Sequence, residues 1–269
     1  MLQPFTKYAG CGNDFIFFDH RLPFFPLEDK RFIQTLCHRQ YGIGADGVIL
    51  LENSSQADFR MRIFNADGSE AEMCGNGIRC LGKFIQELGY RSSIYRIETK
   101  QQVLRVHVEE EVSVEMALSA HLQWNIPLHL KEHSYQAHFL NTGVPHVVIF
   151  VKDLEKEDLQ KLGPEIRYHP LFAPKGANVN LATWNEGAEI RIRTYERGVE
   201  GETLACGTGA TAVALAAAYQ HNLASPLFIQ TASQERLRID YDLTAHSQFS
   251  NITLTGPTKR IFQGQYAFA

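Results

Sequence analysis

Apolar and polar residues alternate in several short segments, and this alternation predicts strands with one buried face. Residues 59–63 read Phe-Arg-Met-Arg-Ile, and residues 190–193 repeat the pattern as Ile-Arg-Ile-Arg. A period of two that is rich in Ile and Phe is typical of a half-buried β-strand. Further short strands are predicted at residues 103–108, 112–116 and 227–231.

Two segments follow a helical period instead. Residues 78–88 place five apolar side chains on one helical face: Ile78, Leu81, Phe84, Ile85 and Leu88. Residues 210–219 are apolar nearly all round, which predicts a helix enclosed by a sheet. The pattern therefore predicts an α/β fold of the α+β type, with many strands and one central helix in each half of the chain.

The chain repeats itself once. The motif CGNG begins at Cys74 and CGTG begins at Cys206, which is a separation of 132 residues (206 − 74 = 132). The same separation relates Gly-Ala-Asp at 44–46 to Gly-Ala-Asn at 176–178, Glu70 to Glu202, and the apolar segments 14–17 and 146–149. Four matches at one spacing favour a duplicated fold over two unrelated glycine turns. We expect two similar domains, related by a pseudo-twofold axis, that meet face to face.

Residues 119–138 are less regular than their neighbours, so the domain boundary is placed at the start of this stretch. The predicted domains are residues 1–118, joined by about 262–269, and residues 119–261. The first carries Cys74 and the second carries Cys206.

Composition narrows the class of protein. The 269 residues are 44% apolar and carry a net charge of −4, which offers no basic field for nucleic acid or anionic lipid. The apolar stretches are shorter than a membrane span, and the N-terminus lacks a secretory pattern. Five cysteines, an odd number, indicate reduced thiols in the cytoplasm. Because C-x-x-C and H-E-x-x-H spacings are absent from the sequence, no metal site is expected.

The order strand, turn, Cys-Gly-x-Gly, helix places Cys74 and Cys206 at helix N-termini. The unpaired N–H groups there create a positive potential that stabilises a thiolate. Taken singly, such a cysteine is more often a small buried residue than a catalytic one. Two of them, one from each half of a duplicated fold, favour a different interpretation. Acid/base groups on opposite sides of one carbon can invert a stereocentre, and the helix-end amides can stabilise the charge that develops on a carboxylate.

At these residues the sequence resembles the diaminopimelate epimerase family over essentially its full length. The resemblance lies in Gly-Cys-Gly-Asn-Asp-Phe at 10–15, in Phe-Asn-Ala-Asp-Gly-Ser-Glu at 64–70 leading to residues 74–80, and in Tyr-Glu-Arg-Gly at 195–198 followed by Gly-Glu-Thr and Ala-Cys-Gly-Thr-Gly up to residue 209. The resemblance implies two domains, each a curved, barrel-like sheet around a central helix. It also implies interconversion of LL- and meso-2,6-diaminopimelate without a cofactor, in lysine and peptidoglycan-precursor synthesis, by a homodimer whose only ligand is a small amino acid.

The resemblance further implies roles for single residues. Cys74 and Cys206 would form the acid/base pair, with His146 and Glu196 close to the thiols and tuning them. The reacting carboxylate would be held by backbone amides of Gly75, Asn76, Gly207 and Thr208. The rest of the substrate would be recognised by Asn13, Asn65, Asn178, Glu196 and Arg197. On the residues alone, each of these could also be a turn, surface or core residue.

Two positions depart from the family's pattern. Val144 stands where the family often has Asn, and Gly47 stands where some members have Gln. An apolar side chain at 144 makes no hydrogen bond, so we expect looser recognition of the substrate's distal end. Cys11, Cys37 and Cys80 are interpreted as structural.

Three other functions stay open at this point. The chain could be a related two-cysteine racemase of the proline-racemase type or one that accepts glutamate, although the NADGSE and YERG segments count against it. It could be a thiol redox protein in which Cys74 and Cys206 form a switching disulfide, or a non-catalytic binding protein. Incorporation of solvent deuterium at the substrate's α-carbon separates an epimerase from the last two.

Overall fold

The computed structural model describes residues 2–118, 122–184, 189–244 and 248–268. The chain divides into two compact units, Met1–Glu115 with Gly256–Ala269, and Met116–Thr255. Residues 119–121, where the sequence placed the boundary, lie outside the described residues. The last segment joins the first unit at 256 rather than at about 262.

The first unit holds eight strands and two helices before the chain leaves it. They are β1 (Leu2–Gly10), β2 (Asn13–Asp19), α1 (Lys30–Cys37), β3 (Gly47–Glu52), β4 (Phe59–Asn65), β5 (Glu70–Ala71), α2 (Gly75–Glu87), β6 (Ile94–Glu98), β7 (Val103–Val108) and β8 (Val112–Glu115).

The second unit repeats this series of elements. They are β9 (Gln123–His129), β10 (Ser134–Asn141), β11 (Pro145–Phe150), α3 (Leu159–Arg167), β12 (Asn178–Thr183), β13 (Ile190–Glu196), β14 (Gly201–Thr203), α4 (Gly207–His221), β15 (Leu227–Gln230), β16 (Arg236–Leu243) and β17 (Phe249–Gly256), with short 3₁₀ turns at Leu154–Lys156 and Pro170–Phe172. The last strand, β18 (Lys259–Ala267), pairs antiparallel with β1 in the first unit.

The strand pairings of the two units match one for one. In the first unit β1–β2 is antiparallel, β2–β3 parallel, β3–β4 antiparallel and β4–β6 parallel. In the second unit β10–β11, β11–β12, β12–β13 and β13–β15 follow the same sequence of directions. The prediction of two similar α/β domains is therefore confirmed.

The parallel pairs of the two units share one register. The first rung of β2–β3 joins Phe15 to Gly47, and the first rung of β11–β12 joins His146 to Asn178. Partners are therefore 32 positions apart in both pairs (47 − 15 = 32 and 178 − 146 = 32).

Glu70 and Glu202, which match in the repeat, each accept a hydrogen bond from an arginine on the neighbouring long strand. Glu70 Oε1 accepts a hydrogen bond of 2.7 Å from Arg62 Nε, and Glu202 Oε1 accepts one of 2.8 Å from Arg193 Nε. Each bond ties the long strand of a unit to the short strand beside its central helix. This match therefore reflects a shared way of holding the turn that leads into the helix.

The central helices lie against the inner faces of their sheets. Helix α2 contacts β1, β2, β3, β4, β7 and β8, and helix α4 contacts β10, β11, β12, β13, β15 and β16. Residues 207–218 of α4 are all buried, which confirms the helix enclosed by a sheet. Among the described residues, none of the helices combines the length and the apolar character that crossing a bilayer requires.

Helices α1 and α3 were not predicted. Each packs on the outer face of its sheet, so the parallel strands are buried on both sides. Phe15–Phe18 and Val48–Leu51 are buried without interruption in the first unit, as are Val147–Ile149 and Val179–Leu181 in the second. A nearly continuous apolar run is typical of a strand that is covered on both faces, so these runs were the available signal for the outer helices.

Candidate active site

Cys74 lies immediately before α2, in extended backbone with φ −142° and ψ 118°. Its sulfur accepts a hydrogen bond of 3.4 Å from the backbone N–H of Gly77. This is the geometry of an N-terminal cap, with sulfur in place of the usual oxygen. The N–H groups of the first helical turn and the helix dipole favour negative charge at this end, so the position suits a thiolate.

The side chain of Asn76 connects this helix start to strand β2. Asn76 is 2% exposed, and its Nδ2 donates to Asn13 Oδ1 over 2.7 Å. Asn13 Nδ2 in turn donates to Asp46 Oδ2 over 3.1 Å. Three predicted site residues, Cys74, Asn76 and Asn13, are thus brought together within the first unit.

Asn65 ends strand β4 and lies opposite Gly47. Its side chain donates to Ser69 Oγ over 3.0 Å, and its backbone N–H donates to the Ser69 carbonyl over 2.8 Å. Asn65 therefore closes the turn that leads to β5. A substrate-binding role for it stays a prediction.

Cys206 occupies the corresponding position before α4, in extended backbone with φ −124° and ψ 110°. It is 7% exposed, so its sulfur is more enclosed than that of Cys74. The sulfur lies 3.4 Å from Thr208 Oγ1 and also donates a hydrogen bond to the carboxyl of Glu196.

Glu196 ends strand β13 and accepts a hydrogen bond of 2.5 Å from Thr203 Oγ1. Burial raises the pKa of the Glu196 carboxyl above its usual range, and the hydrogen bonds from Thr203 and Cys206 partly oppose the rise. A carboxyl of this kind, bonded to a thiol, can accept and return its proton.

His146 is fully buried on β11, and its Nε2 lies 2.9 Å from Thr208 Oγ1. Burial, with a smaller contribution from the positive charge of Arg197, lowers the pKa of His146 to about 3. The imidazole is therefore neutral at physiological pH, and it reaches Cys206 through the hydroxyl of Thr208. Both predicted tuning residues, His146 and Glu196, thus lie at Cys206 within the second unit.

Asn178 holds the loop after β13 in place. Its Oδ1 accepts from the Arg197 backbone N–H over 2.8 Å, and its Nδ2 donates to the Pro145 carbonyl over 3.0 Å. The Arg197 side chain is half-buried beside it. Asn178 thus fixes the residue predicted to bind substrate, whereas its own contact with substrate stays a prediction.

Several residues of these networks were not singled out from the sequence: Asp46, Arg79, Asn180 and Thr203. Arg79 lies within the CGNG-x-RC motif, and its guanidinium donates to the Gly75 carbonyl over 3.0 Å and to Asn76 Oδ1 over 2.8 Å. Asn180 lies two residues after Asn178 on β12. A polar residue inside an apolar strand and a charge on an apolar helix face were the available signals.

The remaining cysteines are buried: Cys11, Cys37 and Cys80. For Cys37, burial and the nearby carboxylates of Asp14 and Asp46 raise the pKa to about 12. This thiol is protonated at physiological pH and unreactive.

Gly47 is sterically confined. A Cβ built at this position would lie 2.5 Å from the carbonyl oxygen of Phe64 on the neighbouring strand. The Gln that some relatives carry there would need β4 to shift, so glycine at 47 is matched to the local strand spacing.

Two similar α/β domains, each with a cysteine at the start of its central helix, define an isomerase of the epimerase and racemase class. The family model described as diaminopimelate epimerase matches residues 5–120 and 138–257. The chain belongs to the diaminopimelate epimerase family.

Relatives and folds agree with this assignment. The chain is 41% identical to the diaminopimelate epimerase of Hydrogenobaculum sp. (strain Y04AAS1), with 98% of each chain covered. It is 42% identical to that of Methanocella arvoryzae, covering 97% of this chain and 95% of the relative. Its fold is similar to a solved Bacillus anthracis phenazine biosynthesis protein of the PhzF family, with a TM-score of 0.75, 17% identity and full coverage of both chains.

Proposed function

We propose that the protein epimerises LL-2,6-diaminopimelate to meso-diaminopimelate, without a cofactor, by acid/base catalysis with Cys74 and Cys206. The observation that carries the proposal is that both cysteines occupy the same place, before the central helix of a repeated unit. The names of the relatives supply the substrate.

In the proposed reaction one thiolate removes the proton from the α-carbon, and the other thiol donates a proton to the opposite face. A thiol suits both roles because its pKa lies closer to neutrality than that of an alcohol. The backbone N–H groups of Gly75, Asn76, Gly207 and Thr208 would hold the reacting carboxylate, since helix N-termini bind anions. They would also stabilise the negative charge that spreads onto it in the transition state.

The rest of the substrate is assigned to polar side chains. Asn13, Asn65, Asn178, Glu196 and Arg197 offer amide, carboxylate and guanidinium groups that match the charged ends of a diamino diacid. Asn13 and Asn178 are already fixed by hydrogen bonds to Asp46 and Pro145, so recognition would use preformed geometry. The side chain of Val144 supplies no hydrogen bond, and we propose that recognition of the distal end is correspondingly relaxed.

This reaction would serve lysine and peptidoglycan-precursor synthesis. A glutamate-accepting or proline-racemase-type activity is the second candidate, and Val144 is the one feature that favours a broader substrate range. The family match over residues 5–120 and 138–257 favours diaminopimelate as the principal substrate.

The deciding experiment incubates the purified chain with LL-diaminopimelate in deuterium oxide, without added cofactor. The expected result is formation of the meso isomer with one deuterium at the inverted α-carbon. Glutamate and proline serve as parallel substrates. Faster exchange of glutamate or proline than of diaminopimelate would replace the proposed substrate, and no exchange with any of the three would refute the epimerase proposal.

A further inference from the structure

We propose that Asn180 is a positioning residue that fixes the tautomer of His146, so that the Thr208 hydroxyl donates its proton to the Cys206 sulfur. The proposal rests on the proposed function only in taking Cys206 as an acid/base group. Every contact it uses lies within the second unit.

The orientation of the Asn180 amide is set by the backbone. Asn180 is fully buried on β12, and the atom that lies 3.0 Å from the Val147 carbonyl oxygen must be its Nδ2, because a carbonyl only accepts. Its Oδ1 then accepts a hydrogen bond of 3.0 Å from Thr194 Oγ1. The amide is satisfied at both ends and cannot be flipped without losing a bond.

The second N–H of that amide points at His146. Asn180 Nδ2 lies 3.1 Å from His146 Nδ1. An amide nitrogen only donates, so Nδ1 must be the unprotonated ring nitrogen. Because His146 is buried and neutral, its single proton resides on Nε2.

The direction of the remaining bonds follows. His146 Nε2 donates to Thr208 Oγ1 over 2.9 Å. The Thr208 hydroxyl cannot donate back to a protonated nitrogen, so its own proton is available to the Cys206 sulfur at 3.4 Å. A donor aimed at the sulfur stabilises the thiolate relative to the thiol.

The first unit shows that a buried amide is not needed to build this fold. A Cβ on Gly209 would lie 2.4 Å from Asn180 Oδ1, and a Cβ on Gly77 would lie 2.6 Å from Ile49 Cδ1. Ile49 and Asn180 thus take the same place, against the second glycine of the two CGxG motifs. An apolar residue fills the place in one unit, whereas the amide in the other carries a desolvation cost that packing does not require.

Two charged groups also face this network. Glu196 accepts a hydrogen bond from Cys206, and Arg197 lies close enough to His146 to disfavour its protonation. Neither is bonded to Asn180, and Glu196 and Arg197 are anchored by Thr203 and Asn178, so we expect both to act as a constant background in the measurements below.

The first test reads the tautomer directly, from long-range ¹H–¹⁵N correlations of the histidine rings in ¹⁵N-labelled protein. The His146 signals are assigned by their loss in His146→Gln. We expect the Nε2–H form at pH 7 in the unmodified protein and a mixture of both forms in Asn180→Ala. An Nδ1–H or doubly protonated ring in the unmodified protein would overturn the proposal, whether or not Asn180→Ala folds.

The second test follows the alkylation rate of Cys206 with iodoacetamide against pH, in a Cys74→Ala background. Loss of the aligned donor in Asn180→Ala should raise the pH midpoint by about one unit, which is about tenfold less thiolate at a fixed pH below it. Leu181→Ala is the control: Leu181 is the next residue on β12, and its side chain packs in the apolar cluster that includes helix α3. This variant should lose stability without moving the pH midpoint of Cys206 alkylation. Equal midpoints in Asn180→Ala and its parent would refute the inference.

Thr208→Val gives an independent check. It removes the hydroxyl but keeps the shape, so it should raise the Cys206 midpoint while leaving His146 as the Nε2–H tautomer. Adding Asn180→Ala to Thr208→Val should then shift the midpoint no further, because both act through one hydroxyl. Additive shifts would show that Asn180 acts by another route. None of these readouts needs turnover of diaminopimelate, so failure of the proposed function would leave them interpretable.

Discussion

Asn76 donates a hydrogen bond of 2.7 Å to Asn13, a residue that precedes it by 63 positions. This bond joins the start of the first central helix to the start of strand β2. Arg79 orients the Asn76 amide, because its guanidinium donates to Asn76 Oδ1 over 2.8 Å. The amide nitrogen Nδ2 is thereby left to face Asn13. Arg79 is fully buried and also donates to the Cys11 sulfur over 3.4 Å.

Arg79→Lys should therefore impair catalysis more than folding. An ammonium keeps the charge but cannot reproduce the directional bonds of a guanidinium to Gly75 and Asn76. We expect kcat/KM to fall about tenfold or more, corresponding to about 1.4 kcal/mol of lost transition-state stabilisation. Steady-state epimerisation kinetics provide the measurement.

The matched control is Arg62→Lys, which makes the same chemical change at the bond to Glu70. That change should lower the midpoint of thermal unfolding and leave kcat/KM within about twofold. If both variants lose activity equally, Arg79 has no special part in positioning Asn76.

Cys74→Ala and Cys206→Ala should each abolish epimerisation while leaving the fold intact. Each removes one of the two proton carriers. In Cys206→Ala, Glu196 keeps its hydrogen bond from Thr203 and Thr208 keeps its bond to His146, so these side chains stay anchored. Cys→Ser variants should retain at most a trace of activity, since an alcohol is a far weaker acid than a thiol. Activity is measured by formation of the meso isomer, and circular dichroism checks the fold.

Cys37→Ala serves as the control for loss of a thiol. Cys37 is buried at the end of α1, and its raised pKa keeps it protonated. This variant should cost some stability through the cavity it leaves but keep its activity. Substantial epimerisation by either single active-site variant would contradict the two-thiol mechanism.

Much of the fold could be predicted from the sequence because the repeat and the alternation are local signals. Strand β7, predicted at 103–108, has those bounds in the structure. Helix α2 was predicted from Ile78 but begins at Gly75, because the glycines of CGNG carry no apolar signal and yet form its first turn. Residues 123–129 form a strand inside the stretch interpreted as irregular. Its alternate positions Trp124, Ile126 and Leu128 are more buried than the residues between them, so a period of two was present there and was not recognised.

The residues at the two helix starts could be predicted from the sequence, whereas the residues that hold them in place could not. The cysteines and the helix-start residues stand in long motifs, so the sequence identifies them. Asn180 and Arg79 act through side chains that are distant in sequence: Asn180 contacts His146, 34 positions earlier, and Arg79 contacts Cys11, 68 positions earlier. No spacing rule links such residues, because the contacts depend on which strands become neighbours.

His146 should make the protein sensitive to acid. Its pKa falls from 6.5 to about 3 on folding. Between these two pH values His146 is protonated in the unfolded chain and neutral in the folded chain. Stability from this group is therefore complete above pH 6.5 and is lost as pH falls. Between pH 7 and pH 5 the loss should be about 2 kcal/mol of the free energy of unfolding.

Denaturant unfolding of the unmodified protein and of His146→Gln at both pH values measures this contribution. The difference between pH 7 and pH 5 should be smaller in His146→Gln by about 2 kcal/mol. Glu196, whose raised pKa acts in the opposite sense, is present in both proteins and cancels in the comparison. The same pH dependence in both would mean that His146 is protonated in the folded state.

Val144→Asn should sharpen substrate specificity. Val144 is half-buried in the turn before His146, and Thr142 Oγ1 in that turn donates to the Thr208 carbonyl over 2.9 Å. An amide at 144 would add a hydrogen-bond donor near the start of α4, of the kind that relatives carry. One added hydrogen bond contributes about 0.5–1.5 kcal/mol, so KM for diaminopimelate should fall about two- to tenfold with kcat unchanged.

The comparison substrate is glutamate, which lacks the distal amino acid group, and the control variant is Val144→Leu, which has nearly the shape of Asn without its polarity. We expect the ratio of kcat/KM for diaminopimelate over glutamate to rise in Val144→Asn and to stay level in Val144→Leu. If the unmodified protein already turns over glutamate negligibly, Val144 does not relax recognition. An equal rise in both variants would assign the effect to side-chain volume rather than to the added hydrogen bond.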